Sequence, residues 1–246
     1  MEYYKNCSVL SLTLILWIFS FSGFGQDFRL EKKWETPAEL KEPESVIYDS
    51  NEDVLYVSNI NNPPAGKDGN GSIGKISLNG EIQEVEWVID GMDSPKGLGL
   101  FNGLLYVADL KKVVVINTKT GKLEKTIEIP DAGMLNDITV DDAGIIYISD
   151  SDRGRIYTVK NGTAEIWIEK DFFQKPNGLL AHQGAFYMID MNSGIFYEIN
   201  KKTKVLRKIA EGLIGADGIA PYGNDFFISN WNGEINFVSS TGNIKN

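Results

Sequence analysis

Short apolar runs, each with an aromatic residue near its middle and a short polar residue at its end, recur along this chain. The aromatics are spaced 50, 41, 40 and 40 residues apart, at Tyr56, Tyr106, Tyr147, Tyr187 and Phe227. The strand-end polar residues are so uniform that we expect them to cap turns, and they are Asn59, Asp109, Asp150, Asp190 and Asn230. A repeat of about 40 residues with four short strands is typical of a β-propeller blade.

A second series of polar residues runs through the chain in the same register. Its members are spaced 52, 40, 41 and 40 residues apart and are Glu44, Lys96, Asn136, Asn177 and Asp217. A glycine follows directly at Gly97, Gly178 and Gly218 and can supply the turn conformation, which leaves the preceding side chain available for another role. The alternative is that these polar residues only satisfy backbone groups of the turn. Together, the two series predict an all-β propeller with five recognisable four-stranded blades.

The ends of the repeat region determine how the ring is expected to close. Residues 26–37 resemble the last strand of a blade and predict a strand, which in a complete five-blade ring would pair with Gly233–Ser239. However, Thr241–Asn246 matches Thr120–Lys125, where the fourth strand of the second repeat begins. The fifth repeat is therefore predicted to begin its own fourth strand. We accordingly expect a six-blade propeller truncated at its C-terminus, with a gap on one side of the channel.

The N-terminus has the pattern of a secretory signal. An apolar run from Val9 to Phe24 follows a short polar start and ends in small residues, and it is short for a membrane span. The sequence therefore predicts a signal peptide at residues 1–25 and a single propeller domain at residues 26–246. The protein is expected to be exported, either to the periplasm or to the outside, with no stable membrane insertion after cleavage.

Charge and composition exclude several classes of function. The net charge of −10 and the pI near 4.7 disfavour binding to nucleic acid or to anionic lipid surfaces. Because Cys7 is the only cysteine and His182 the only histidine, thiolate chemistry, a Ser-His-Asp triad and a zinc hydrolase site have no support. A small-molecule substrate is the expected partner, and the oligomeric state is left open.

Three motifs in blade order indicate a family. Asn136–Asp141, Pro176–Leu179 and Ala216–Ile219 resemble the gluconolactonase, regucalcin and luciferin-regenerating enzyme family, over a stretch from about Glu44 to Gly242. The segment Asp150–Ile156 is also similar to NHL-repeat propellers, which mainly bind partners. The resemblance implies an exported metal-dependent, lactonase-like hydrolase. A non-catalytic NHL-like propeller is the alternative.

The resemblance also implies roles for single residues. Glu44, Asn177 and Asp217 would be metal ligands, Asn136 would contact substrate, and Asp217 would also act as general base. Two carboxylates and an amide oxygen suit a hard divalent cation, with Ca²⁺ expected first and Mg²⁺ or Zn²⁺ as alternatives.

Three positions qualify this assignment. Pro43-Glu44-Ser45 stands where the family usually has Glu-Gly-Pro, so the Glu ligand is less well defined. Met134 stands at a substrate-binding position where several sugar-lactonase relatives have arginine, which favours lactones in general over sugar lactones. Lys96 is a candidate for binding an anionic substrate group, although a salt bridge with a neighbouring carboxylate is the favoured interpretation.

Overall fold

The computed structural model describes residues 30–61, 63 and 65–245. The predicted signal peptide and residues 26–29 of the predicted first strand lie outside this part. All regular structure in the described residues is β-strand, arranged as five antiparallel sheets of four strands each. None of these residues forms a helix long and apolar enough to cross a membrane. The prediction of an all-β propeller with four-stranded blades is confirmed.

The blades follow the chain order. Blade 1 comprises β1 (Pro43–Asp49), β2 (Val54–Asn59), β3 (Ser72–Ser77) and β4 (Ile82–Val88). Blade 2 comprises β5 (Pro95–Phe101), β6 (Leu104–Asp109), β7 (Lys112–Asn117) and β8 (Leu123–Glu128). Blade 3 comprises β9 (Leu135–Val140), β10 (Ile146–Asp150), β11 (Arg155–Lys160) and β12 (Thr163–Glu169).

The last two blades have the same order. Blade 4 comprises β13 (Pro176–His182), β14 (Ala185–Asp190), β15 (Ile195–Ile199) and β16 (Leu206–Ala210). Blade 5 comprises β17 (Ala216–Tyr222), β18 (Asp225–Asn230), β19 (Ile235–Val238) and β20 (Ile244–Lys245). The first strand of each blade is its inner strand, and the inner strands of consecutive blades pack side by side from β1 to β17.

Four apolar cores hold the blades together, and each core joins two consecutive blades. In the core between blades 3 and 4, for example, Tyr147 of β10 packs against Phe186 of β14 with ring centroids 4.7 Å apart. Burying such aromatic surface is the main stabilising term in a fold of this kind. Within the described residues, no corresponding core joins blade 5 to blade 1, and Val46 and Tyr48 of β1 and Tyr222 of β17 remain exposed.

The described residues do not show the N-terminal strand that would close a complete five-blade ring. Strand β19 pairs with β20, so the fifth repeat has its own fourth strand, as predicted. Residues 30–37 form no strand, and the predicted strand at 26–37 is therefore wrong for its described part. Trp34 instead lies against Gly80 in the β3–β4 turn of blade 1, where it covers apolar surface without a backbone ladder. The described residues thus form a propeller of five four-stranded blades, and none of them belongs to a sixth blade.

Every inner strand carries a β-bulge at the same place. In β1, Glu44 and Ser45 together lie opposite the single residue Ser58, because Pro43 pairs with Asn59 and Val46 with Val57. The four other inner strands shift register in the same way, and their paired bulge residues are Lys96–Gly97, Asn136–Asp137, Asn177–Gly178 and Asp217–Gly218. A bulge turns side chains away from the regular alternation of a strand. The second polar series therefore coincides with the first residue of each bulge.

The glycines of these bulges allow close packing between blades and do not provide a turn conformation. Gly97, Gly178 and Gly218 do not have positive φ, so the interpretation of a turn conformation is wrong. A Cβ on Gly178 would lie 2.3 Å from the carbonyl oxygen of Asp217, and one on Gly97 would lie 2.5 Å from Cα of Asp137. In these two blades, glycine lets the inner strand approach the backbone of the next blade.

The strand-end residues cap loops, as predicted. Asp150 is fully buried, and its carboxylate accepts hydrogen bonds from the backbone N–H groups of Gly133, Met134 and Arg153, at 2.8, 3.1 and 3.1 Å. Asp190 does the same for the loop before β13, and Asp109 for the loop before β5. These contacts hold the loop that leads into each inner strand and so fix where the bulge begins.

Candidate functional site

A cavity of about 470 Å³ opens between the inner strands. Four of the predicted site residues line it, namely Glu44, Asn136, Asn177 and Asp217, which come from four different blades. Their side chains meet there because the bulges lie at the same end of every inner strand. The cavity volume is within the range usual for small-molecule sites.

The two other predicted residues lie elsewhere. Lys96 is 5% exposed and is not among the residues that line the cavity, although its charge acts on the carboxyls of Glu44 and Asp217. Met134 precedes β9, where its backbone N–H donates to Asp150 and its carbonyl accepts from Ser151. The structure therefore does not bring Met134 into the cavity wall.

Two of the polar side chains that line the cavity have no partner in the described part of the protein. The carboxyl of Glu44 and the amide of Asn136 form no hydrogen bond and no ion pair with any described residue. The favoured salt bridge of Lys96 is likewise not formed, since no described carboxylate oxygen lies within 4.0 Å of its Nζ. Glu44 is half-buried and Asn136 is buried, and both line the cavity, so their side-chain polar groups are available to a ligand there.

The electrostatic environment of Glu44 is unusual for a carboxyl. Burial raises its pKa from an ordinary value of 4.5 to about 8, against the lowering effect of Lys96. The charges of Asp217 and Asp137 raise this pKa further, because like charges disfavour a second ionised carboxylate nearby. Without a compensating positive charge, Glu44 therefore holds a proton at neutral pH.

Asp217 has a partner in the adjacent blade. The amide nitrogen of Asn177 donates a hydrogen bond to Oδ1 of Asp217 at 2.6 Å, which ties blade 4 to blade 5. Burial raises the pKa of Asp217, whereas this hydrogen bond and the charges of Lys96 and Lys175 lower it. The net effect is that the pKa of Asp217 lies above that of an exposed aspartate, which suits a group that exchanges a proton with water.

Asp137 is a cavity residue that was not predicted from the sequence. It lines the cavity directly after Asn136, and burial raises its pKa to about 7. Its carboxylate accepts hydrogen bonds from the backbone N–H groups of Leu179, at 2.7 Å, and Ile138, at 2.8 Å, so it also joins blade 3 to blade 4. A signal was present in the sequence, because the four other bulges have only serine or glycine at this second position.

The cavity offers oxygen ligands of the kind that a divalent cation binds. Within the described residues, no three His, Cys, Asp or Glu side chains are arranged to hold a metal ion by themselves. The candidate ligand set consists of two carboxylates and the amide of Asn177, all of which offer oxygen, the donor that hard cations prefer. Burial is the first cause of the raised pKa values of Glu44, Asp137 and Asp217, and neighbouring carboxylates raise those of Glu44 and Asp137 further, so a divalent cation would offset a cost of burying negative charge here. The residues present are compatible with such an ion.

Comparisons with known proteins support the fold. No protein-family model and no curated protein matches the sequence. Among solved structures, the crystal structure of a nidogen/laminin complex matches with a TM-score of 0.69 and 19% identity, over 81% of this chain and 76% of that chain.

Two further matches are lyases. A selenomethionine-substituted virginiamycin B lyase from Staphylococcus aureus matches with a TM-score of 0.63 and 16% identity, over 82% of this chain and 68% of that chain. A streptogramin B lyase matches with a TM-score of 0.59 and 12% identity, over 83% and 82% of the two chains. At these identities the likeness concerns the fold alone, and it shows that this chain is a β-propeller similar to these three structures.

Proposed function

We propose that the protein is an exported, divalent cation-dependent hydrolase of the lactonase type. The observation that supports this proposal is the meeting of Glu44, Asn136, Asn177 and Asp217 in one cavity, with Glu44 and Asn136 unpartnered. The resemblance of the blade motifs to the gluconolactonase and regucalcin family gives the reaction class.

Each residue has a role in the proposed reaction. Glu44, Asn177 and Asp217 would hold the cation, with Ca²⁺ the best match to their oxygen donors, and a bound cation supplies a Lewis acid for an ester carbonyl. Asn136 is available to hydrogen-bond the substrate, because its amide has no other described partner. Lys96 does not line the cavity, and its contribution is the positive charge that lowers the pKa values of Glu44 and Asp217.

The proton movements can be assigned to Asp217. Its carboxylate takes a proton from water as the water oxygen bonds to the carbonyl carbon. The bond from that carbon to the ring oxygen then breaks, and the proton passes to the departing alkoxide. The products are a hydroxy acid or its carboxylate, with one water consumed for each bond broken.

Metal binding and turnover form the first test of this proposal. We expect calorimetric titration to show one Ca²⁺ or Mg²⁺ per chain, and γ- and δ-lactones to be hydrolysed in a chelator-sensitive manner. Asp217→Asn should lose the cation and at least a hundredfold in kcat/KM. The exposed Asp142→Asn is the matched control and should behave as the parent protein. A parent protein that binds neither cation would refute the metal site.

The products distinguish the remaining alternatives. Hydrolysis adds the mass of water to the substrate, whereas elimination, the reaction type of lyases, leaves its mass unchanged. Cation binding without turnover of any lactone or ester would favour a non-catalytic propeller that binds a ligand or protein partner at the same face.

Export is a separate part of the proposal. If residues 1–25 are a signal peptide, the N-terminus of protein recovered from outside the cytoplasm should begin at about Gln26. An intact N-terminus on protein from the cytoplasmic fraction would contradict export.

A further inference from the structure

The cavity has two chemically different parts. At one end are the polar bulge residues described above. The inner strands continue from the bulges into apolar residues that also line the cavity, and these are Ile47, Leu98, Ile138, Leu179 and Ile219. A ligand with its reacting group at the bulges would therefore extend the rest of its body along an apolar wall.

The hydroxyl groups of this wall already make protein contacts. Oγ1 of Thr139 accepts a hydrogen bond from the backbone N–H of Ala181 at 3.1 Å. Oγ of Ser229 accepts one from the N–H of Gly218 at 2.8 Å. The apolar side chains of this wall offer no hydrogen bonds, so a polyol placed beside them would lose water from several hydroxyls without gaining new partners there, which is unfavourable. The wall thus disfavours a sugar ring and favours an apolar group.

One side of the wall is unusually open for apolar residues. Val46 is 60% exposed and Ile235 is 50% exposed, yet both line the cavity, as does Phe227 of β18. These residues lie on blades 1 and 5, the two blades that share no core in the described structure. An apolar ligand group would remove their surface from water, with a gain of about 25 cal/mol per Å² buried.

On the basis of the proposed function, we propose that the substrate is a lactone or ester that carries an apolar chain or ring. Its carbonyl lies at Glu44, Asn136 and Asp217, and its apolar part lies along β1, β17 and β18. The cavity volume of about 470 Å³ accommodates both parts of a medium-chain acyl compound.

A series of γ-lactones with side chains of zero to eight carbons tests the proposal. We expect kcat/KM to rise about fourfold for each added methylene until the cavity is filled, the factor that follows from roughly 0.8 kcal/mol for each buried methylene. Gluconolactone should be a poorer substrate than a γ-lactone with a six-carbon chain. A flat series, or a preference for gluconolactone, would overturn the proposal.

Binding is measured independently of turnover with the corresponding γ-lactams, whose amide bond resists hydrolysis. Titration calorimetry should give dissociation constants that fall about fourfold per methylene. If lactam binding depends on chain length while no lactone is hydrolysed, the proposed function fails and the apolar site stands. If lactones are hydrolysed with no dependence on chain length in either series, the apolar site fails and the hydrolase stands.

Two matched variants locate the effect. Ile235→Asn places an amide on the open wall and should reduce the gain per methylene to less than twofold. Ile166→Asn is the control, because Ile166 is also 50% exposed but lies on β12 and does not line the cavity. Both variants should show the parent circular dichroism spectrum, since both side chains are half exposed. Equal slopes for Ile235→Asn and the parent protein would contradict this placement of the apolar group.

Discussion

Two sets of repeated polar residues occupy this propeller, and their contacts differ. The strand-end residues are nearly the same in every blade, and Asp109, Asp150 and Asp190 each accept backbone hydrogen bonds from the loop before the inner strand. The bulge residues change from blade to blade, and Glu44, Lys96 and Asn136 form no hydrogen bond or ion pair with the described residues. A polar position that is repeated without change thus stabilises the fold, whereas one that varies is available for a ligand.

The strongest test of this comparison is the removal of a strand-end cap. Asp150→Ala leaves three partly buried N–H groups without their acceptor and should lower the free energy of unfolding by about 3 kcal/mol. Asp142→Ala, at an exposed position, should change it by less than about 0.5 kcal/mol. Urea denaturation followed by circular dichroism measures both. Similar midpoints for the two variants would remove the structural role given to the uniform series.

A smaller effect is expected within the bulges themselves. Gly178→Ala brings a Cβ to 2.3 Å from the carbonyl oxygen of Asp217, which must move, and we expect a loss of about 2 kcal/mol. Gly218→Ala is the matched variant at the same bulge position in blade 5. Its Cβ would meet only Oγ of Ser229, at 3.0 Å, so the loss should be under about 1 kcal/mol. If Gly218→Ala were the more damaging, close approach between blades 4 and 5 would not explain Gly178.

The pH dependence of the free energy of unfolding tests the bulge residues, through Glu44. The pKa of Glu44 is about 8 in the folded protein, and the ordinary value of 4.5 applies to the unfolded chain. Between these values the folded state binds more protons, so the free energy of unfolding falls as pH rises, by about 1 kcal/mol per pH unit. Below about pH 4.5 and above about pH 8, this residue adds no further dependence.

Chelator-treated protein is the material for this measurement, because a bound cation would lower the pKa of Glu44. Glu44→Gln should show a shallower decline over the same range, and Asp137 accounts for part of what remains, since its pKa of about 7 acts in the same direction. Parallel curves for the parent and Glu44→Gln would show that Glu44 is ionised at neutral pH in the folded state.

The sequence was sufficient for the repeat, the strand count per blade and the roles of the strand-end aspartates. All of these depend on patterns that occur five times, so each copy supports the others. The resemblance to the lactonase family implied that Glu44, Asn177 and Asp217 meet, and all three line one cavity because equal positions in successive blades lie at the same end of the inner strands.

Features that occur once were not predictable in this way. A glycine is compatible both with a turn and with close packing, so the sequence could not show that Gly178 lies against Asp217. Residues 30–37 have the apolar pattern of a strand, but Trp34 satisfies that pattern by packing on Gly80 without pairing. The missing ion pair of Lys96 depends on where its side chain lies relative to the carboxylates of other blades, which residue spacing does not specify.

Four cores for five blades also affect how the blades depend on one another. Within the described residues, blades 2, 3 and 4 each share a core with two neighbours, whereas blades 1 and 5 each share a core with only one. The packing between blades therefore resembles that of a linear repeat array, in which blades 1 and 5 are the end modules. Glu44 belongs to one end module and Asp217 to the other, and their charges influence each other across the cavity. A ligand that contacts both would connect the two end modules, so its binding energy would add to the cohesion of all five modules.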